Sequence, residues 1–254
     1  MSGFRKARRA VVPGLWCLAS LLLCGVACGQ QNAVSAHVEI KKKNGSAAEK
    51  TATGPGNLSE VVVWLKPLER SAAEIAAAGA PHPKLQLVQK NKSFQPHLLV
   101  VPVGSSVDFP NRDPFFHNVF SLFDGKRFDL GLYEAGATNS VRFDRVGVSF
   151  LFCNIHPEMS AVVVAVDTPY YAVSDRSGNL TFLNLPDGKY EMHVWYERSL
   201  PEDLKALTRT VSMTSATKDL GAISIPENPS FSTAHKNKYG QDYTPPPASG
   251  YPNP

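Results

Sequence analysis

Short apolar runs punctuated by turn residues fill most of the chain. Val34–Ile40 alternates, with His37 and Glu39 facing away from Val38 and Ile40. Val61–Leu65 reads Val-Val-Val-Trp-Leu and is strongly β-prone. From residue 84 onward the runs become dense: Leu85–Val88, His97–Val103, Val107–Pro110, Val119–Phe123, Ser140–Phe143, Val148–Phe152 and Ala161–Val166. Seven strands within about eighty residues predict a small β-sandwich. An irregular, Gly-containing excursion is expected from 124 to 137, between two of these strands. In Val148–Phe152 the side chains of Val148, Phe150 and Phe152 share one face, and Cys153 falls on the other with Ser149 and Leu151. Ala161–Val166 is nearly all apolar and suits a sandwich interior.

A second β pattern follows. Tyr171–Val173, Leu180–Leu183 and Tyr190–Trp195 are separated by the turns Asp175-Arg-Ser-Gly178 and Leu185-Pro-Asp-Gly188. Thr210–Met213 and Ala222–Ile225 close the pattern. Helical signals are few: capping-box spacing at Ser71–Glu74 ahead of an Ala run stopped by Gly79, and the start of a short helix at Ser199–Glu202. The fold class is therefore all-β. Residues 227–254 are rich in Pro, Asn, Ser and Tyr, have little to bury, and are expected to be a disordered tail.

Composition changes this picture at the N-terminus. The chain carries 26 Lys and Arg against 22 Asp and Glu. Four of the basic residues, Arg5, Lys6, Arg8 and Arg9, lie in the first thirty positions, which hold no acidic residue. Without them the charges balance, so no nucleic-acid partner is expected. Basic residues, then an apolar run from Val11 to Ala27, then small residues make 1–29 a signal peptide for a periplasmic or secreted protein. Two further readings stand beside it: an uncleaved membrane anchor, and lipidation at Cys28. Cys17, Cys24 and Cys28 belong to this segment, which leaves Cys153 alone in the processed chain. A lone thiol in an oxidising compartment needs deep burial or a bound metal.

The residues around that thiol favour the metal. Phe150-Leu-Phe-Cys-Asn-Ile-His-Pro-Glu-Met159 places a thiol, an imidazole and a thioether within seven residues. His117 supplies a second imidazole from Asp113-Pro-Phe-Phe-His-Asn118. Two His, one Cys and a weak axial Met are the donor set of a blue-copper site, and a thioether argues against zinc. Asn118 is placed to hydrogen-bond from the His117 strand to the Cys153 loop. Pro114, Phe115, Phe116 and Pro157 are expected to form an apolar rim that excludes water and docks a redox partner.

Phe94-Gln-Pro96, Val103-Gly104, Phe109 and Asn111, His117-Asn118 and Cys153-Asn-Ile-His-Pro-Glu-Met159 together resemble a cupredoxin. The chain is similar to plastocyanin at His117-Asn-Val and to amicyanin in its short loop, and the likeness covers 84–166. It implies a Greek-key β-sandwich holding one type 1 copper on His117, Cys153, His156 and Met159. It gives His156 the role of passing electrons, while the residues themselves put Asn118, Pro157 and Phe116 around the ligands. Separately, Ser174–Phe182 and Leu185–Tyr190 resemble the carboxypeptidase-regulatory-like (transthyretin-like) β-sandwich. The expected organisation is a discontinuous sandwich from 34–68 and 168–226, with the cupredoxin inserted; two tandem domains are the simpler arrangement.

The function expected is that of a periplasmic or secreted one-electron carrier between a redox donor and a redox acceptor. The alternative is copper binding or delivery without redox turnover. An enzyme is not expected, because no His-x-His pair and no second loop Cys offers another copper centre.

Overall fold

The structure is a computed structural model that describes residues 33–42, 58–69, 85–122 and 125–243. The strands run in order β1 (Ala33–Lys42), β2 (Val62–Pro67), β3 (Leu85–Gln86), β4 (Val88–Gln89), β5 (Phe94–Gln95), β6 (Leu98–Pro102), β7 (Ser106–Pro110), β8 (His117–Ser121) and β9 (Phe128–Tyr133). They continue as β10 (Thr138–Arg142), β11 (Gly147–Phe152), β12 (Ser160–Val166), β13 (Tyr171–Val173), β14 (Asn179–Leu183), β15 (Gly188–Trp195), β16 (Arg209–Met213) and β17 (Asp219–Glu227). One short helix, α1 (Pro201–Ala206), is described. The protein is all-β with several sheets. The segment 1–29 and the helix expected near Ser71–Gly79 lie outside the described residues.

The apolar run at β12 explains the architecture. Its alternate side chains enter two different cores. Val162, Val164 and Val166 pack into one, while Ala161, Val163 and Ala165 pack into the other. The adjoining β6 divides in the same way, Leu98 and Val100 to one side and Val101 to the other. These two strands lie in a five-stranded sheet ordered β6-β12-β11-β8-β9. A strand buried on both faces has no solvent face to mark with polar residues, hence its unbroken hydrophobicity.

On one side of that sheet, β10-β7-β3 closes a sandwich around Phe109, Val119, Phe143 and Leu151. On the other side lie β14-β1-β17 and β13-β2-β15-β16. Every strand of these two sheets comes from before residue 68 or after residue 170. β2 pairs with β13 and β15, not with the strands between them in sequence. The chain leaves β2 and returns at β13 beside it: the Thr168 hydroxyl donates to the Leu65 carbonyl at 2.8 Å, and the Leu65 amide donates to the Tyr170 carbonyl at 2.8 Å. The turn Asp175–Gly178 packs onto β1, where the Val38 amide donates to the Gly178 carbonyl at 2.8 Å. Gly178 has φ +84°, and a Cβ there would lie 2.7 Å from the Val38 oxygen.

Two expectations need correction. The segment 124–137 is not irregular throughout: Phe128–Tyr133 forms the edge strand β9, paired with β8 across a register shift between Asn118 and Phe120. Gly131 at φ +67° and the exposed Leu132 blur its alternation. The tail is not disordered as far as residue 243. After β17 it is anchored by His235, Lys238 and Tyr243, whose side chains bond or stack against the five-stranded sheet and its loops. Average composition hides three well-placed side chains. Residues 244–254 lie outside the described residues.

Candidate metal centre

The β11–β12 turn sets the site. The Cys153 amide donates to the Met159 carbonyl at 3.2 Å, and the Met159 amide donates to the His156 carbonyl at 3.1 Å. This folds the seven-residue loop back on itself. Cys153 and Met159 are both fully buried, on the side of the sheet that faces the second core. β8 lies next to β11, and its first residue is His117.

Three donor atoms converge there. His117 Nδ1 lies 3.8 Å from Cys153 Sγ, His156 Nδ1 lies 3.6 Å from the same sulfur, and the two Nδ1 atoms are 3.2 Å apart. A triangle with these sides has its centre about 2.1 Å from each corner. Metal–nitrogen bonds of about 2.0–2.1 Å and metal–sulfur bonds of about 2.3 Å are of that size. The residues present thus fit a small soft cation held in a trigonal plane. Among the described residues His117, Cys153 and His156 form the one such cluster. All three are buried.

Electrostatics prepare the two imidazoles as ligands. His117 Nε2 lies 2.8 Å from Asp113 Oδ2, so its proton sits on Nε2 and Nδ1 presents a lone pair. Asp113 also accepts from the amides of Asn91, at 2.6 Å, and Lys92, at 2.9 Å. Against the desolvation of its burial, the donors from Lys92, His117 and Asn91 hold the Asp113 carboxyl below the usual carboxylate range. Burial pushes His156 down, which keeps its imidazole neutral and able to coordinate. Burial pushes the Cys153 thiol up, against backbone N–H donors from Asn118, Ile155 and His156. Those three donors point at the sulfur and favour its thiolate form.

The loop before His117 is held by Asn111, which is fully buried. Its side-chain amide donates to the Phe115 carbonyl at 2.8 Å, and its oxygen accepts from the Asp113 amide at 3.0 Å. Phe115 in turn packs against both imidazoles, with ring centroids 5.2 Å from His117 and 5.5 Å from His156.

The predicted surroundings are arranged differently in part. Phe115, not Phe116, covers the imidazoles; Phe116 is 55% exposed. Pro157 and Pro114 are exposed at the rim, with Ile155 beside them. Asn118 reaches the sulfur through its backbone amide. Its side chain turns instead to Asp129, at 2.7 Å, and to the Gly131 carbonyl, at 2.9 Å. Asp113 was not anticipated as a partner of His117. The only signal for it is a carboxylate four positions ahead of a candidate ligand.

No protein-family model matches the chain, and no curated protein does. Solved structures with partial likeness include a purple cupredoxin from Nitrosopumilus maritimus, 24% identical over 33% of this chain and 100% of that one, with a TM-score of 0.30. A Cu(I) structure of an amicyanin variant is 20% identical over 41% of this chain and 98% of that one, TM-score 0.32. A copper-containing nitrite reductase from Thermus scotoductus SA-01 is 23% identical over 40% of this chain and 25% of that one, TM-score 0.32. The carboxypeptidase-regulatory-like resemblance has no support among these matches. At such scores the geometry of the site, not the likeness, carries the functional reading.

Proposed function

We propose that the protein is an exported one-electron carrier whose single type 1 copper would be held by His117, Cys153 and His156, with the Met159 thioether supplying a weak fourth donor. The observation that carries this is the triangle of two Nδ1 atoms and one Sγ at 3.2, 3.6 and 3.8 Å, enclosed in an apolar core. When bound, copper supplies a Cu(II)/Cu(I) couple, and this donor set suits both states.

The chain's own residues do the rest. Asp113 fixes His117 in the coordinating tautomer. The amides of Asn118, Ile155 and His156 hold the sulfur. Phe115 excludes water from the imidazoles. A preorganised, dry site changes little when its charge changes, which is what rapid electron transfer requires. His156 is flanked in the chain by the exposed Ile155 and Pro157, and this rim is where we place the docking of a redox donor and acceptor. Burial of all three donors favours this reading over copper delivery, which needs ligands that open to a recipient protein.

We read residues 34–68 and 168–226 as one discontinuous sandwich into which 84–166 is inserted. The pairing of β2 with β13 and β15 supports that organisation. Export rests on the basic and apolar pattern of residues 1–29.

The test is copper loading of the purified protein. One equivalent of copper and an intense visible thiolate-to-copper absorption are expected, and Cys153→Ser should abolish the band. Copper uptake without that band, or a band that survives in Cys153→Ser, would overturn the reading.

A further inference from the structure

Beyond β17 the chain doubles back over the ligand loop and grips it at three successive residues. The His235 ring stacks on Phe152 with centroids 4.1 Å apart and planes at 30°. The Tyr243 hydroxyl donates to the main-chain carbonyl of Cys153 at 2.6 Å. The Lys238 amide donates to Asn154 Oδ1 at 3.0 Å. The His235 stack lies on the sheet face opposite the sulfur, where Phe120 and Phe152 pack 5.9 Å apart.

The segment also reaches the sulfur from a second direction. The Lys238 ammonium sits 2.7 Å from Asp129 Oδ2, while Asp129 Oδ1 accepts from the Asn118 side chain at 2.7 Å. Asn118 in turn directs its backbone amide at Cys153 Sγ. The C-terminal segment therefore touches the end of β11 directly and reaches β8 through Asp129 of β9.

Within the segment, His235 orders Tyr243. His235 Nδ1 lies 3.2 Å from the Tyr243 oxygen and 3.2 Å from the Lys236 carbonyl. The tyrosine hydrogen points to Cys153, so Nδ1 carries a proton and donates to both oxygens. Burial pushes the Tyr243 phenol up, so it remains a donor across the physiological range.

We propose that Tyr243 is a positioning residue of the metal centre: its hydroxyl fixes the Cys153 carbonyl, and thereby the aim of the Cys153 sulfur and the reduction potential of the bound metal. The inference rests on the copper reading above. Its physics is simple. The positive end of the O–H dipole faces the residue that bears the thiolate. That end favours the more electron-rich, reduced state, as hydrogen bonds around a ligating sulfur do. The carbonyl so held is also one peptide away from Asn154, which the Lys238 amide secures.

The experiment compares full-length protein with full-length Tyr243→Phe, which keeps the ring and deletes only the hydroxyl. With copper bound, the variant should show a lower reduction potential and a displaced thiolate-to-copper band. In metal-free protein the Cys153 thiol should be alkylated about two- to tenfold faster, the factor that loss of one hydrogen bond gives to loop opening. A second variant, His235→Phe, keeps a ring over Phe152 but removes the donor to Tyr243; its shifts should be smaller and in the same direction. Identical potential, band and alkylation rate in Tyr243→Phe and parent would overturn the proposal while leaving the copper reading intact. If the parent shows no such band, the copper reading fails. The alkylation comparison then decides alone: a faster rate supports the fixing of Cys153 by Tyr243, and an equal rate removes it.

Discussion

Asp113 accepts the Nε2 hydrogen of His117 at 2.8 Å, within a loop pinned by Asn111 and by the amides of Asn91 and Lys92. The bond decides which imidazole nitrogen is free. Were the proton on Nδ1, the triangle of donors would lose a corner.

Replacing Asp113 with Ala should therefore weaken copper binding by about 10–100-fold, the usual cost of losing a hydrogen-bond partner of a ligating histidine. Asp113→Asn should cost less, because the amide oxygen still accepts from Nε2. A competition titration against a chelator of known affinity measures both. Equal affinities in parent and Asp113→Ala would show that the bond does not set the tautomer.

Met159 is fully buried and packs with Cys153 in the second core. A weak axial thioether tunes potential more than it holds the metal. Met159→Gln, which offers a harder oxygen donor, should lower the reduction potential while a visible thiolate band persists. Voltammetry and absorption read the two together. A potential unchanged in Met159→Gln would take Met159 out of the ligand set.

β12 feeds both cores, so the two halves of the molecule should not unfold separately. Leu65 is fully buried in the core that lies away from the metal site. Leu65→Ala should cost about 2–5 kcal/mol, and the loss should register at the copper centre as well. Trp64 and Trp195 belong to the same core and report on it by fluorescence. In a denaturant series, tryptophan emission and copper absorption should change at one midpoint, which Leu65→Ala lowers for both. Two separated transitions would contradict the shared core.

His97 joins the two halves at a different place. Its Nε2 lies 2.8 Å from Glu197 Oε2, and its Nδ1 lies 3.1 Å from the Ser160 carbonyl. The Glu197 carboxylate beside it holds the imidazole above its ordinary value of 6.5, against the desolvation of partial burial. A histidine raised on folding contributes stability that is fully present below about pH 6.5 and is lost as pH rises through its folded-state value. His97→Gln should thus destabilise the protein at pH 5.5 and much less at pH 9. Denaturation midpoints at the two values test it; an equal penalty at both would exclude the ion pair.

How much of this was legible beforehand depends on range. Cys153, His156 and Met159 fall within seven residues, so their proximity is a local matter that spacing reveals. β12 announced itself through unbroken hydrophobicity, although the sequence did not say that a second sandwich covers its far face. The pairing of Asp113 with His117 was hidden because it depends on a loop that Asn111 folds. β9 was hidden by Gly131 and by the exposed Leu132. The grip of Tyr243 on Cys153 spans ninety positions. A Pro-rich composition masked it, since composition averages over the few side chains that bind.

X-ray absorption at the copper edge of the loaded, full-length protein tests the central claim most directly. The account predicts one short thiolate sulfur and two imidazole nitrogens around a single copper, with the sulfur contribution lost in Cys153→Ser. A first shell of nitrogen and oxygen alone, with no sulfur in the parent protein, would contradict it.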